Sequence, residues 1–165
     1  SELLKDKRNA YKPNFDSNAT ILGKSQWDWL ERVIENSSAD IIIILSSIQV
    51  LATAHPYEKW GNFPLERDRL IKLIEKASKK QTLVVISGDR HRSGIYQNKD
   101  FIEITASSLN KAASQNIETD PLLEGETYPI KNYGILDIRP SSNEITVSLF
   151  DQDGIRLNSK TIDIF

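Results

Sequence analysis

Apolar positions along this chain follow two rhythms, and the change between them divides it. Trp27, Leu30, Val33 and Ile34 recur at helical spacing. Ser25 with Asp28 three residues on reads as a capping box, and Asn36-Ser37-Ser38 ends the predicted helix. A second helix is predicted from Pro64, suited to a first helical position, through Leu70, Leu73, Ile74 and Ala77 to Lys79-Lys80. Between them residues 41–45, Ile-Ile-Ile-Ile-Leu, are apolar without alternation, which predicts a central strand covered on both faces. Residues 82–86 predict the next strand, followed by a short one around Ile95 and another over 101–105. In the last third, residues 134–138, 145–150 and 155–164 are separated by Pro140-Ser141-Ser142-Asn143 and Asp151-Gln152-Asp153-Gly154, the chemistry of an antiparallel meander. The expected class is α/β (α+β), with helices on a mixed sheet and a C-terminal antiparallel meander.

Three stretches carry no rhythm. Residues 1–20 read as an irregular lead-in, 46–63 as a long connection holding His55, Tyr57, Trp60 and Asn62, and 110–127 as a flexible loop. The whole of 1–165 reads as a single domain or a domain fragment. Trp27 and Trp29 are expected to pack, and Glu66, Arg67 and Arg69 to form a solvated helix face.

Charge narrows the possibilities. Twenty-one basic and 23 acidic residues leave a net charge of −2, with no basic stripe for nucleic acid or for an anionic membrane. Zero cysteines exclude disulfides, thiolate metal sites and a cysteine nucleophile. The longest apolar run, 41–45, is far too short to span a bilayer, and the first residues do not resemble a signal peptide. A start at Ser1 and the absence of methionine point to a processed product or a fragment.

The densest chemistry is Ser87-Gly88-Asp89-Arg90-His91, at the end of a predicted buried strand. In an extended segment Asp89 and His91 project to one side and are candidate metal ligands; the alternative is a turn capped by Asp89. His55, beside Pro56, is expected to be an exposed loop histidine. Trp60-Gly61-Asn62-Phe63 reads equally as an active-site lid or as a loop pinned to the core. A serine hydrolase triad of Ser47, His91 and Asp89 lacks a Gly-x-Ser-x-Gly elbow.

Taken in order, Leu22-Gly23-x-x-Gln26-Trp27-x-Trp29-Leu30, Ser46-Ser47-Ile48-Gln49-Val50, Trp60-Gly61-Asn62-Phe63-Pro64-x-Glu66-Arg67, Ser87-Gly88-Asp89-Arg90-His91, Thr105-Ala106-Ser107-Ser108 and Asn132-Tyr133-Gly134 resemble the C-terminal half of PhoD-like alkaline phosphatases, within the calcineurin-like metallophosphoesterases. The resemblance implies part of an αββα metallophosphatase sandwich, and hydrolysis of phosphate esters, mono- or diester, by metal-activated water. It implies a divalent or mixed metal cluster drawn from Ca, Fe, Zn or Mn. His91 and Asp89 fall on the last metal motif of the superfamily, where an aspartate stands in place of a histidine. Arg90, Ser47, Gln49, Trp60 and Asn62 become candidate substrate contacts. The superfamily's earlier metal motifs are absent from these residues, so the isolated chain is expected to be catalytically silent. Exposed strand edges would invite self-association. By analogy with the family the parent would be secreted or periplasmic. The alternative is a non-catalytic binding or assembly module on the same fold.

Overall fold

The structure, a computed structural model, describes residues 3–6, 10–112 and 116–165. Its elements are β1 (Leu4–Lys5), β2 (Tyr11–Lys12), α1 (Lys24–Glu35), β3 (Ile41–Ser46), α2 (Pro64–Ala77), β4 (Thr82–Ser87), β5 (Ser93–Gln97), β6 (Ile102–Ala106), β7 (Asn132–Arg139), β8 (Glu144–Asp151) and β9 (Arg156–Asp163). A short 3-10 turn, Trp60–Asn62, precedes α2.

Three layers result. Strands β3, β4, β6 and β5 form a mixed sheet in that order, with β3, β4 and β6 parallel and β5 antiparallel to β6. Strands β7, β8 and β9 form the expected antiparallel meander. Alternation along β4 sends Leu83 and Val85 toward the helices, where Trp27, Ile34, Leu70 and Ile74 pack, and Val84 toward Ile145, Val147 and Leu149 of the meander. All of these are buried, so the mixed sheet is covered by helices on one face and by a second sheet on the other. Gly134 lies where the sheets approach most tightly: a Cβ there would sit 3.2 Å from Ala106 Cβ and from Ile104 Cδ1.

The isoleucine run departs from expectation. β3 is an edge strand, and Ile43 and Leu45 are 41% and 77% exposed. Ile42 and Ile44 pack on the helical core, whereas on the other face only Ile41 reaches the meander's cluster and Ile43 and Leu45 stay open. α1 starts differently too. Its N-cap is Gly23, with φ +74° and no side-chain cap, and Asp28 pairs with Lys24 rather than closing a box with Ser25. Trp27 is buried as expected, whereas Trp29 is 55% exposed.

The irregular stretches hold more order than their composition implies. β1 and β2 pair within the lead-in, although residues 1–2 and 7–9 of it lie outside the described residues. Residues 113–115 of the expected flexible loop also lie outside them. The rest of that stretch runs along β5: Gln97 N–H donates to Leu122 O, Glu124 N–H donates to Ile95 O, and Leu122 and Leu123 pack on the helical core.

Candidate metal and phosphate site

Parallel β3, β4 and β6 end in register, Ser46 opposite Ser87 and Ser87 opposite Thr105. Side chains after parallel strands of a covered sheet line its C-terminal rim, where α/β folds bind ligands. Gly88 sits between the strand ends, its missing Cβ within 3.7 Å of Ser47 O and 3.8 Å of Ser107 Cβ. Ser47, Asp89 and Ser107 therefore share one rim.

Residues 88–92 form a loop rather than an extended segment. Asp89 and His91 both have positive φ, +67° and +52°. This left-handed backbone is uncommon for non-glycine residues, although Asp and His tolerate it better than most. Alternation survives in another form, because Asp89 and His91 are exposed while Arg90 and Arg92 are buried. Arg90 Nη2 donates to both Glu118 oxygens at 2.6 and 2.7 Å, and its guanidinium lies 4.5 Å over the Tyr57 ring.

Beneath the rim runs a buried polar network. Gln49 Nε2 donates to Thr105 Oγ1 at 2.9 Å, and Thr105 Oγ1 lies 2.8 Å from Ser87 Oγ. Glu103 accepts the Val50 and Leu51 N–H groups at 3.0 and 2.6 Å, while Arg67 donates to the carbonyls of the same two residues at 2.6 and 3.0 Å. The start of the long connection is thus held from both sides. Burial pushes the Glu103 carboxyl above its usual range, against the pull of its hydrogen bonds from Ser87, Leu51 and Val50.

Other carboxylates hold the same connection and its neighbours. Asp120 Oδ2 accepts the Thr53 and Ala54 N–H groups at 2.6 and 2.8 Å. Glu66 accepts Thr20 Oγ1 and the Ile21 and Leu22 N–H groups on one oxygen and Trp27 Nε1 on the other. Glu66 and Arg67 are therefore internal staples and not a solvated face; Arg69 alone of the three is exposed, paired with Glu31.

The remaining candidates sort by burial. Ser47 is exposed at the rim, whereas Gln49, Trp60 and Asn62 are buried with internal partners. Trp60 Nε1 donates to Ser46 Oγ at 3.0 Å and its ring meets Trp27 edge-on, which is the pinned reading and not the lid. Asn62 Oδ1 accepts the Lys59 N–H. His55 is buried, not exposed: Nδ1 accepts the Tyr57 N–H, and burial, followed by Arg90, Lys59 and Arg92, lowers its pKa to about 2. Burial thus favours its neutral form.

Asp89 and His91 offer one carboxylate and one imidazole, donors that suit a hard or borderline cation. Among the described residues no group of three or more His, Cys, Asp or Glu side chains converges as a complete cage. The pair fits as part of a coordination shell. No helix among the described residues is long and apolar enough to cross a membrane.

The fold and the family were compared with known proteins. The fold matches the structure of GAP50, the anchor in the inner membrane complex of Plasmodium, with TM-score 0.69 and 14% identity over 86% of this chain and 42% of that one. It matches the structure of PhoD with TM-score 0.62 and 20% identity over 97% of this chain and 40% of that one. The chain spans about two-fifths of the length of either structure. No curated protein matches it in sequence. The family model of PhoD-like phosphatases matches residues 3–143, and the chain accordingly belongs to the PhoD-like phosphatase family.

Proposed function

We propose that this chain is the C-terminal part of a metal-dependent phosphatase or phosphodiesterase, in which Asp89 and His91 complete a metal cluster whose other ligands come from polypeptide preceding it. The observation that carries this reading is the pair itself. Two non-glycine residues hold uncommon left-handed backbone at the rim, exposed and without a hydrogen bond to any described residue, where glycine would be less strained. When bound, ions drawn from Ca, Fe, Zn or Mn would supply Lewis acidity to water and to the phosphoryl oxygens. This chain would contribute one imidazole, one carboxylate and, from Ser47, a hydroxyl facing the substrate. Arg90, Gln49, Trp60 and Asn62 would act on substrate only indirectly, since their polar groups engage the protein interior.

Two donors cannot complete a hydrolytic centre, so the isolated 165-residue chain should release no phosphate from p-nitrophenyl phosphate. The full-length parent should hydrolyse it, and should lose both activity and bound metal, measured by elemental analysis, on His91→Ala. A parent that keeps its full metal content in His91→Ala would sink the assignment. Secretion or a periplasmic location, and self-association through open strand edges, belong to the same reading. A second reading, a non-catalytic assembly module, draws on the fold shared with GAP50, an anchor by its description. A metal-free, inactive parent would favour it.

A further inference from the structure

We infer that Glu118 is the positioning residue for Asp89 and His91: by gripping Arg90 and Arg92 from below, its carboxylate holds the 89–92 backbone in the left-handed turns, at Asp89 and at His91, that send both side chains outward. The conformational claim stands on geometry alone; only its purpose rests on the metal reading above.

Within Asp89-Arg90-His91-Arg92 the side chains go out, in, out and in. The two inward guanidinium groups converge on one carboxylate. Arg90 Nη2 meets both Glu118 oxygens, and Arg92 Nη2 lies 3.6 Å from Oε1. Side-chain exposures of 6%, 5% and 19% for Arg90, Arg92 and Glu118 place these charges largely out of water, where a charge-assisted pair is strong and removal of one member leaves an uncompensated charge. Glu118 is itself anchored. Its N–H donates to Thr127 Oγ1 at 3.2 Å, and Arg92 Nη1 donates to Asn116 O at 2.7 Å. Tyr57, from the long connection, covers the other side of Arg90. Three loops therefore meet at this ion pair.

Asp89 and His91 alternate with residues fixed from beneath. With Arg90 and Arg92 tied to a single carboxylate, the backbone at His91 between them and at Asp89 just before them is held in left-handed turns, at φ +52° and +67°. A glycine would reverse there with less strain but would present no ligand. Stretch 116–127, distant in sequence and polar in composition, is thereby coupled to the rim, and Glu118 acts on any bound ion through the arginines without touching it.

The test uses the full chain and the fact that it has only two histidines. In Glu118→Gln, which keeps shape and removes charge, the backbone couplings and carbon shifts that mark left-handed geometry at Asp89 and His91 should collapse to averaged loop values. The signal of buried His55 should stay in place, and Glu118→Asp should restore much of the signature. Unchanged left-handed signatures in Glu118→Gln would overturn the inference. Should that variant fail to fold, native-state hydrogen exchange of the unmodified chain decides. Amides of 89–92 and 116–118 should open together, and an opening of 89–92 that leaves 116–118 protected would also overturn it. Titration with Mn²⁺ separates the metal reading. His91 signals should broaden in the unmodified chain and require about tenfold more Mn²⁺ in Glu118→Gln, whereas no broadening in the unmodified chain would refute the metal role and leave the conformational result standing.

Discussion

Carboxylates that look like ordinary solvated side chains in the sequence hold the loops of this protein together. Glu66, Glu103, Glu118 and Asp120 each bind groups remote in sequence, and three of them anchor loop backbone by accepting its N–H groups directly. Replacing Glu66 with Gln would set an amide N–H₂ against either Trp27 Nε1 or the Thr20, Ile21 and Leu22 donors, and would remove the charge from the rest. Hydrogen bonds to charged groups contribute about 1.5–3 kcal/mol each, so Glu66→Gln should destabilise by at least ~2 kcal/mol in urea titration. His55 supplies a pH prediction. The unfolded imidazole gains a proton below its ordinary pKa of 6.5, whereas the folded one resists protonation down to about 2. Stability contributed by His55 is thus present above 6.5 and lost as pH falls, by up to about 1.4 kcal/mol per unit. Glu103, with its raised pKa, acts in the opposite sense: it retains its proton above the ordinary carboxyl range and loses stability as pH rises. Comparison with a variant isolates the histidine. From pH 7 to 5 the native chain should lose about 2 kcal/mol relative to His55→Asn, which preserves an acceptor for the Tyr57 N–H. Little of this was legible in the sequence. Glu66 follows Pro64 on a helix whose exposed and buried faces both begin there, and only the position of Thr20 to Leu22 reveals which way its carboxylate turns.

Among the elements, β3 is the least settled. It carries Ile41 to Leu45 with no charge, proline or bulge to protect its edge, and Leu45 borders a groove of about 410 Å³ with Trp29, Ile44 and Trp60. An edge of this kind pairs with other strands. Light scattering of the native chain should report a dimer or larger species, and Leu45→Lys should render it monomeric with stability changed by less than about 0.5 kcal/mol. A monomer at all concentrations would count against edge pairing. The helices and the meander were legible because burial on one face imposes a period on a chain. The edge position of β3 was not, since an unbroken apolar strand reads alike whether its second face is covered by the same chain or left open.

At the scale of the molecule, function depends on how two sheets and three loops are brought together. Gly134 permits β7 to approach β6, and its replacement by Val should cost about 1–3 kcal/mol, seen as a lower melting temperature, because the Ala106 Cβ cannot move without its backbone. Unchanged stability in Gly134→Val would show that the sheets can separate without penalty. By itself the sequence determined the class of fold, the order of elements from α1 onward, the meander, and the Gly-Asp-x-His signature with its family, since all of these are written in local period and adjacent residue types. Only the tertiary structure decided that β3 lies at an edge, that His55 is buried, that Trp60 is pinned, and that Arg90 meets Glu118. The physical reason is common to all four. Which way a loop side chain points, and whether a strand's second face is covered, depends on residues remote in the chain, 14 positions away for Trp60 and Ser46 and 28 for Arg90 and Glu118, and no local pattern encodes them.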